Sequence, residues 1–139
     1  FTYSKVMCWV AFDRALKLAQ KQSLPLDPDT EVRWKRERNK IYNYVNEKGW
    51  CQKRQAYVQY IPDEDESVED VQLDASVVKM SLVGFMAPND PRILSTLQAV
   101  EHALSRNGLI KRYETDDLDG EEGSFTICTL WFVEALSRA

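Results

Sequence analysis

One histidine in 139 residues leaves little room for histidine-based metal binding or a histidine catalytic dyad. That residue, His102, lies off the apolar stripe of its helix and has no evident partner, so an exposed and inert imidazole is expected. Cysteine is equally sparse. Cys8, Cys51 and Cys128 are odd in number and show neither a CxxC pair nor metal-ligand spacing, and two of them sit in apolar helical runs, as reduced core residues would. The chain also lacks net positive charge: at −4 it offers little attraction for nucleic acid, whose binding draws on Lys and Arg neutralising phosphates. The basic run Arg33 to Arg38 is the local exception, but Glu31, Glu37 and Glu47 share its helix, so it reads as a solvated face. No apolar run approaches the ~20 residues of a membrane-spanning helix. The start, Phe1-Thr2-Tyr3-Ser4-Lys5, has neither a signal-peptide pattern nor an initiating Met, so location is not readable from this end; a cytoplasmic one is the working expectation.

What is present describes an ordinary globular chain. Hydrophobic residues make up 44% and charged residues 29%, a balance that excludes disorder, and a chain of this size can bury roughly two-thirds of its unfolded surface. Helix signals dominate, giving an all-α class with about five helices. The first is expected from about Ser4 to Gln22, and Val6 to Phe12 make its first half apolar on every side, as in a deeply buried helix. The second, about Thr30 to Lys48, carries Trp34, Ile41 and Val45 on one stripe and reads as an outer helix, with Asp29 or Thr30 as its cap and Gly49 as its stop. Trp50 to Tyr60 alternates in its later part and fits a short strand or an extended loop.

Asp63 to Asp70 is an acidic, solvated loop rather than a cation site. Asp74 is positioned to cap a third helix over Ala75 to Phe85, and Asp90-Pro91 to start a fourth, on which Ile93, Leu97, Val100 and Leu104 share a face. Asn107-Gly108 is expected to close it. The last helix, Ser124 to Arg138, is apolar nearly all round and should also be buried. The two most apolar helices are thus the first and the last: they pack on each other, or further helices cover them.

Several blocks carry a resemblance. They are Phe1 to Ala15, Gly49-Trp50, Val58-Gln59-Tyr60, Leu73-Asp74-Ala75-Ser76, Leu82-Val83-Gly84-Phe85, Asp90-Pro91-Arg92 with Thr96, Arg112-Tyr113, Asp119 to Phe125, and Cys128 to Leu136. In this order they resemble glycoside hydrolase family 15, particularly its bacterial-type trehalase and glucoamylase-like members. The acidic stretch around Asp63 to Asp70 departs from the pattern. The resemblance implies a segment of an α/α toroid of six helical hairpins, with a pocket at one end that releases glucose from an α-glucoside by inversion. The remaining hairpins are then its partners, no cofactor or metal is expected, and exposed apolar faces would favour self-association.

Inversion needs a carboxylic acid on the leaving oxygen and a carboxylate activating water, typically about 6.5–9.5 Å apart. In relatives the acid belongs to a Trp-Glu motif before the Phe1 block, and the base to a Glu-containing loop after one further hairpin. The resemblance therefore implies that the chain holds neither, with Glu122 as the alternative base. Adjacent Glu121 and Glu122 could not readily straddle a scissile bond, and acidic groups at a helix start are favoured by its dipole in any case.

For the sugar pocket the resemblance implies Arg112, Tyr113, Glu121, Glu122 and Phe125, with charged groups on hydroxyls and a ring on a sugar face. The competing structural account pairs Arg112 with Asp116 or Asp117 and puts Phe125 in the core. Trp50 is either a subsite platform or a buried anchor; Lys5 and Trp9 are weaker candidates. A calcium loop at Asp117 to Gly120 is rejected, because Thr115 and Thr126 stand where an EF-hand needs carboxylates. Two further functions stay open: a self-contained helical interaction module, and a sugar-binding module without hydrolysis.

Overall fold

The computed structural model describes residues 1–22, 25–113 and 125–139. Five α-helices are found among these residues, with two small antiparallel strand pairs between them, so the chain is all-α.

Helices α1 (Thr2–Lys21) and α2 (Pro28–Lys48) form a hairpin. Their pairing is antiparallel: near the start of α1 Lys5 lies over the Tyr44 ring, while further along it Phe12 faces Trp34 and Asp13 reaches Arg38, earlier positions of α2. Asp27, rather than Asp29 or Thr30, caps α2. Its carboxylate accepts the Thr30 N–H at 2.9 Å, and Pro28 then takes the first helical position, where a missing N–H costs nothing. The basic run is solvated at Arg33, Lys35 and Arg36, with Lys35 paired to Glu31 and Arg36 to Glu37, whereas Arg38 is half-buried and faces the buried Asp13 carboxylate.

Gly49 ends α2, but not through a left-handed backbone. Its φ is −90°, and the reason for glycine is space: a Cβ there would lie 2.8 Å from the Val45 carbonyl oxygen. The following segment is a hairpin of β1 (Trp50–Cys51) and β2 (Ala56–Tyr57), with Trp50 opposite Tyr57. The acidic loop is largely exposed, with the Tyr60 hydroxyl donating to Glu66.

The third helix divides into a 3₁₀ turn, Ala75–Val78, and α3 (Lys79–Leu82). Asp74 caps it as expected, accepting the Ser76 N–H at 2.7 Å. It stops before Phe85 because Gly84 takes φ +72°, with the Phe85 N–H bonded to the Met80 carbonyl and the Gly84 N–H to that of Ser81. This paired closure is a Schellman arrangement, and it turns Phe85 into the core against Trp9 (centroids 5.1 Å apart) and Tyr42 (5.0 Å).

Asp90 caps α4 (Pro91–Leu104), whose Ile93, Leu97, Val100 and Leu104 are buried. Thr96 turns its hydroxyl to the Tyr57 N–H and so ties α4 to β2. Asn107-Gly108 does not close this helix, which ends at Leu104. The pair is instead the turn between β3 (Ser105–Arg106) and β4 (Leu109–Ile110), with φ +52° and +78°, as a two-residue hairpin of this hand requires.

The last helix, α5 (Thr126–Arg138), packs on the 3₁₀ turn, α3 and β4, and the Thr129 hydroxyl accepts the Ile110 N–H at 2.9 Å. Neither apolar helix is buried all round. In α1 Val6 and Trp9 are buried while Met7 and Cys8 face outward; in α5 Cys128, Phe132 and Ala135 are buried while Ile127, Leu130, Val133 and Leu136 are exposed. Helix α1 is held between α2 and the 3₁₀–α3 segment, and α5 rests on the 3₁₀ turn, α3 and β4; each keeps an apolar strip exposed. Cys8 is therefore not a core residue, whereas Cys51 and Cys128 are.

Candidate functional site

A cleft of about 500 Å³ opens where the beginnings of three helical segments meet. Phe1, Tyr3 and Ser4 contribute from the start of α1, Asp74 and Ser76 from the start of the 3₁₀ turn, and Phe125, Ile127 and Cys128 from the start of α5. Gln59, Arg112 and Tyr113 complete it from extended segments.

The backbone explains this convergence. The Lys111 N–H donates to the Leu104 carbonyl, so the chain leaving β4 runs back beside α4. It then meets the segment before the 3₁₀ turn: Asp74 and Tyr113 form an antiparallel bridge, and the Ala75 N–H donates to the Arg112 carbonyl at 2.7 Å. On the α1 side, the Thr2 N–H donates to the Gln59 carbonyl at 2.9 Å. The Gln59 N–H donates to the Gln72 carbonyl, so four stretches, around residues 2, 59, 74 and 112, are brought to one place by main-chain bonds.

Arg112 brings a cation to this site, and its side chain is about one-third exposed. Nε lies 2.7 Å from Asp74 Oδ1, an ion pair rather than an aligned hydrogen bond, while Nη2 donates to Asp74 Oδ2 at 3.3 Å. The Asp74 side chain is only 7% exposed, and a buried carboxylate needs such a counter-charge. Trp131 backs the cation, 5.6 Å from the guanidinium carbon. The same indole receives Lys79, whose ammonium lies 4.1 Å from Trp131 and 4.2 Å from Tyr3. Burial pushes the Cys128 thiol up from its ordinary value, with Arg112 opposing, so Cys128 is a neutral wall group.

Phe125 is 55% exposed at the cleft and is not part of the core. Its ring is available to an incoming apolar face.

Arg112, Tyr113 and Phe125 are thus brought together. Trp50 is not with them: half-buried, it packs edge-on against Tyr57 at 5.2 Å and under Arg92 at 4.9 Å. Trp9 is buried against Phe85, and Lys5 lies over Tyr44. Glu121 and Glu122 lie outside the described residues, as do Asp116, Asp117 and Asp119. The partner described for Arg112 is Asp74, which sequence reasoning took only as a helix cap. A signal for its second role was present: Asp74 is the one charged residue between Val71 and Val78, and a carboxylate in an apolar run calls for a cation.

Residues 1–139 match the model of the glycosyl hydrolases family 15. The chain belongs to that family. This family 15 chain is 41% identical over 140 residues to a trehalase of Mycobacterium tuberculosis (strain ATCC 25618 / H37Rv), covering 98% of the chain and 19% of that protein. Against a trehalase of Thermoplasma acidophilum it is 36% identical over 138 residues, covering 98% of the chain and 22% of that protein. The Trehalase 1 of Sulfolobus acidocaldarius is 28% identical over 138 residues, with 99% of the chain and 21% of that protein covered. The chain therefore spans about one-fifth of the length of the curated relatives it matches. No solved structure matches it. Among the described residues, no helix is long and apolar enough to cross a membrane.

Proposed function

We propose that this chain is one part of an α/α-toroid glycoside hydrolase that releases glucose from α-glucosides with inversion, with trehalose as the principal substrate. The observation that carries the proposal is the meeting of Arg112, Tyr113 and Phe125 at one cleft, in a family 15 chain whose relatives are named trehalases. The cleft volume is of the order that small-molecule sites occupy.

In this reading the chain shapes and holds the sugar. Arg112 donates charge-assisted hydrogen bonds to hydroxyl groups, and the fixed plane of its guanidinium sets their direction. Phe125 offers an aromatic face to the C–H groups of the ring. The acid that protonates the leaving oxygen and the base that activates water come from other parts of the polypeptide, with Glu122 as the alternative base. The remaining hairpins of the toroid are the partners that close the pocket.

The test is glucose release from trehalose, maltose and isomaltose, measured for the full-length polypeptide and for residues 1–139 alone. Turnover by the longer protein only, fastest on trehalose and yielding the inverted anomer by NMR, is the expected outcome. Turnover by residues 1–139 would instead return catalysis to Glu122. Arg112→Ala in the full-length protein is expected to lower kcat/KM by at least about tenfold, the loss of a hydrogen bond from a charged donor.

A further inference from the structure

The segment at Asp74 is joined to the one that carries Arg112 twice, once through the main chain and once through a side chain. The Asp74 main chain bridges Tyr113, with the Ala75 N–H donating to the Arg112 carbonyl, and the Asp74 carboxylate pairs side-on with Nε and Nη2 of the guanidinium. The same carboxylate accepts the Ser76 N–H, so its own helix turn also holds its orientation, independently of the arginine. A guanidinium is a planar fork of five N–H donors, and a carboxylate on its Nε–Nη2 edge sets the plane and leaves the Nη1–Nη2 end for another acceptor. Trp131 lies beneath the cation and Lys79 lies over the same ring, so a released Arg112 would have a second positive charge beside it.

We propose that Asp74 is a positioning residue for sugar recognition: it holds the Arg112 guanidinium in one orientation, with its Nη1–Nη2 end presented to the glucoside hydroxyls. This inference rests on the proposed function. It adds a division of labour in which Asp74 never touches the sugar and acts only through Arg112.

The experiment uses Asp74→Asn in the full-length protein. Asparagine caps a helix as well as aspartate does, so the 3₁₀ turn is kept while the charge is lost. The expected result is a fall in kcat/KM of on the order of tenfold, carried mainly by KM, with a melting temperature close to the parent's. In an Arg112→Ala background, Asp74→Asn should cost almost nothing more, because its effect passes through the arginine. Arg112→Lys is the second variant, leaving Asp74 and its cap untouched; it should lose about as much as Arg112→Ala, since an ammonium cannot be held edge-on.

The outcomes separate cleanly. No glucoside hydrolysis by the parent protein would sink the proposed function and this inference with it. An active parent whose Arg112→Ala variant is unimpaired, or whose Arg112→Lys variant keeps full activity, would remove the held guanidinium. An active parent, an impaired Arg112→Ala and an unchanged Asp74→Asn would overturn the role of Asp74 alone, leaving it a helix cap.

Discussion

Tyr57 shows how one side chain joins packing to polar bonding. Its ring is fully buried, and its hydroxyl donates to Asn46 Oδ1 at 2.6 Å. Asn46 in turn donates from Nδ2 to the Tyr42 carbonyl and offers its own carbonyl to Arg92, so one hydroxyl closes a small network between α2, β2 and α4. Burial pushes the phenol above its ordinary value of 10.0, with Arg92 opposing. A folded value above the unfolded one means the stabilisation is complete below the unfolded value and is lost as pH rises through the folded one. Tyr57→Phe should cost about 1 kcal/mol at neutral pH and should flatten the alkaline fall in melting temperature. Thermal unfolding followed across the alkaline range checks both; an alkaline limb unchanged in the variant would assign that fall to another group.

Arg112 stood out in sequence as a candidate site residue, and Asp74 as a carboxylate in need of a cation, but nothing along the chain joined the two. A charged residue beside an aromatic one in a resembling block stands out in sequence. The distance from Asp74 to Arg112, 38 positions along the chain, is closed only by the bridge to Tyr113.

Among the elements, the boundaries set by local chemistry were legible: Asp74 and Asp90-Pro91 cap as the sequence implies. Asp27 shows the limit of that reading. Asp27, Asp29 and Thr30 are all suitable caps, and only Asp27 has Pro28 directly after it to fill the first helical position. Asn107-Gly108 suits either a helix stop or a tight hairpin, and the pairing of Ser105 with Ile110 decides for the hairpin. Gly49 is the sharpest case, since its negative φ would admit any residue while the Val45 carbonyl would not. Gly49→Ala should therefore destabilise the chain by ~1–3 kcal/mol, as overpacking does, measured by denaturant unfolding. A change near zero would mean that the end of α2 moves aside at little cost.

At the scale of the molecule, the exposed side of α5 is the feature with the largest consequence. Ile127, Leu130, Val133 and Leu136 recur every three residues and are each 47–61% exposed. Met7 and Leu18 add exposed apolar surface on α1. Contiguous apolar surface of this kind associates in water. Residues 1–139 made alone should bind a dye that reports apolar surface and should self-associate with rising concentration, by light scattering. Leu130→Glu with Val133→Lys should reduce both without disturbing the buried Cys128, Phe132 and Ala135. A monomer that binds no dye would show that this surface is harmless as it stands.

The sequence by itself determined the helical class, the caps with a single candidate, the buried stripe of α4 and the family, because these depend on spacing along the chain or on residue blocks in order. It could not determine which sides of α1 and α5 are covered, since an all-apolar helix looks the same from every direction until a neighbour chooses one. Nor could it pair Asp74 with Arg112 or separate Trp50 from the cleft. Those facts belong to the tertiary structure, in which main-chain bonds at residues 2, 59, 74, 75, 112 and 113 draw distant segments together and fix which side chains share a wall.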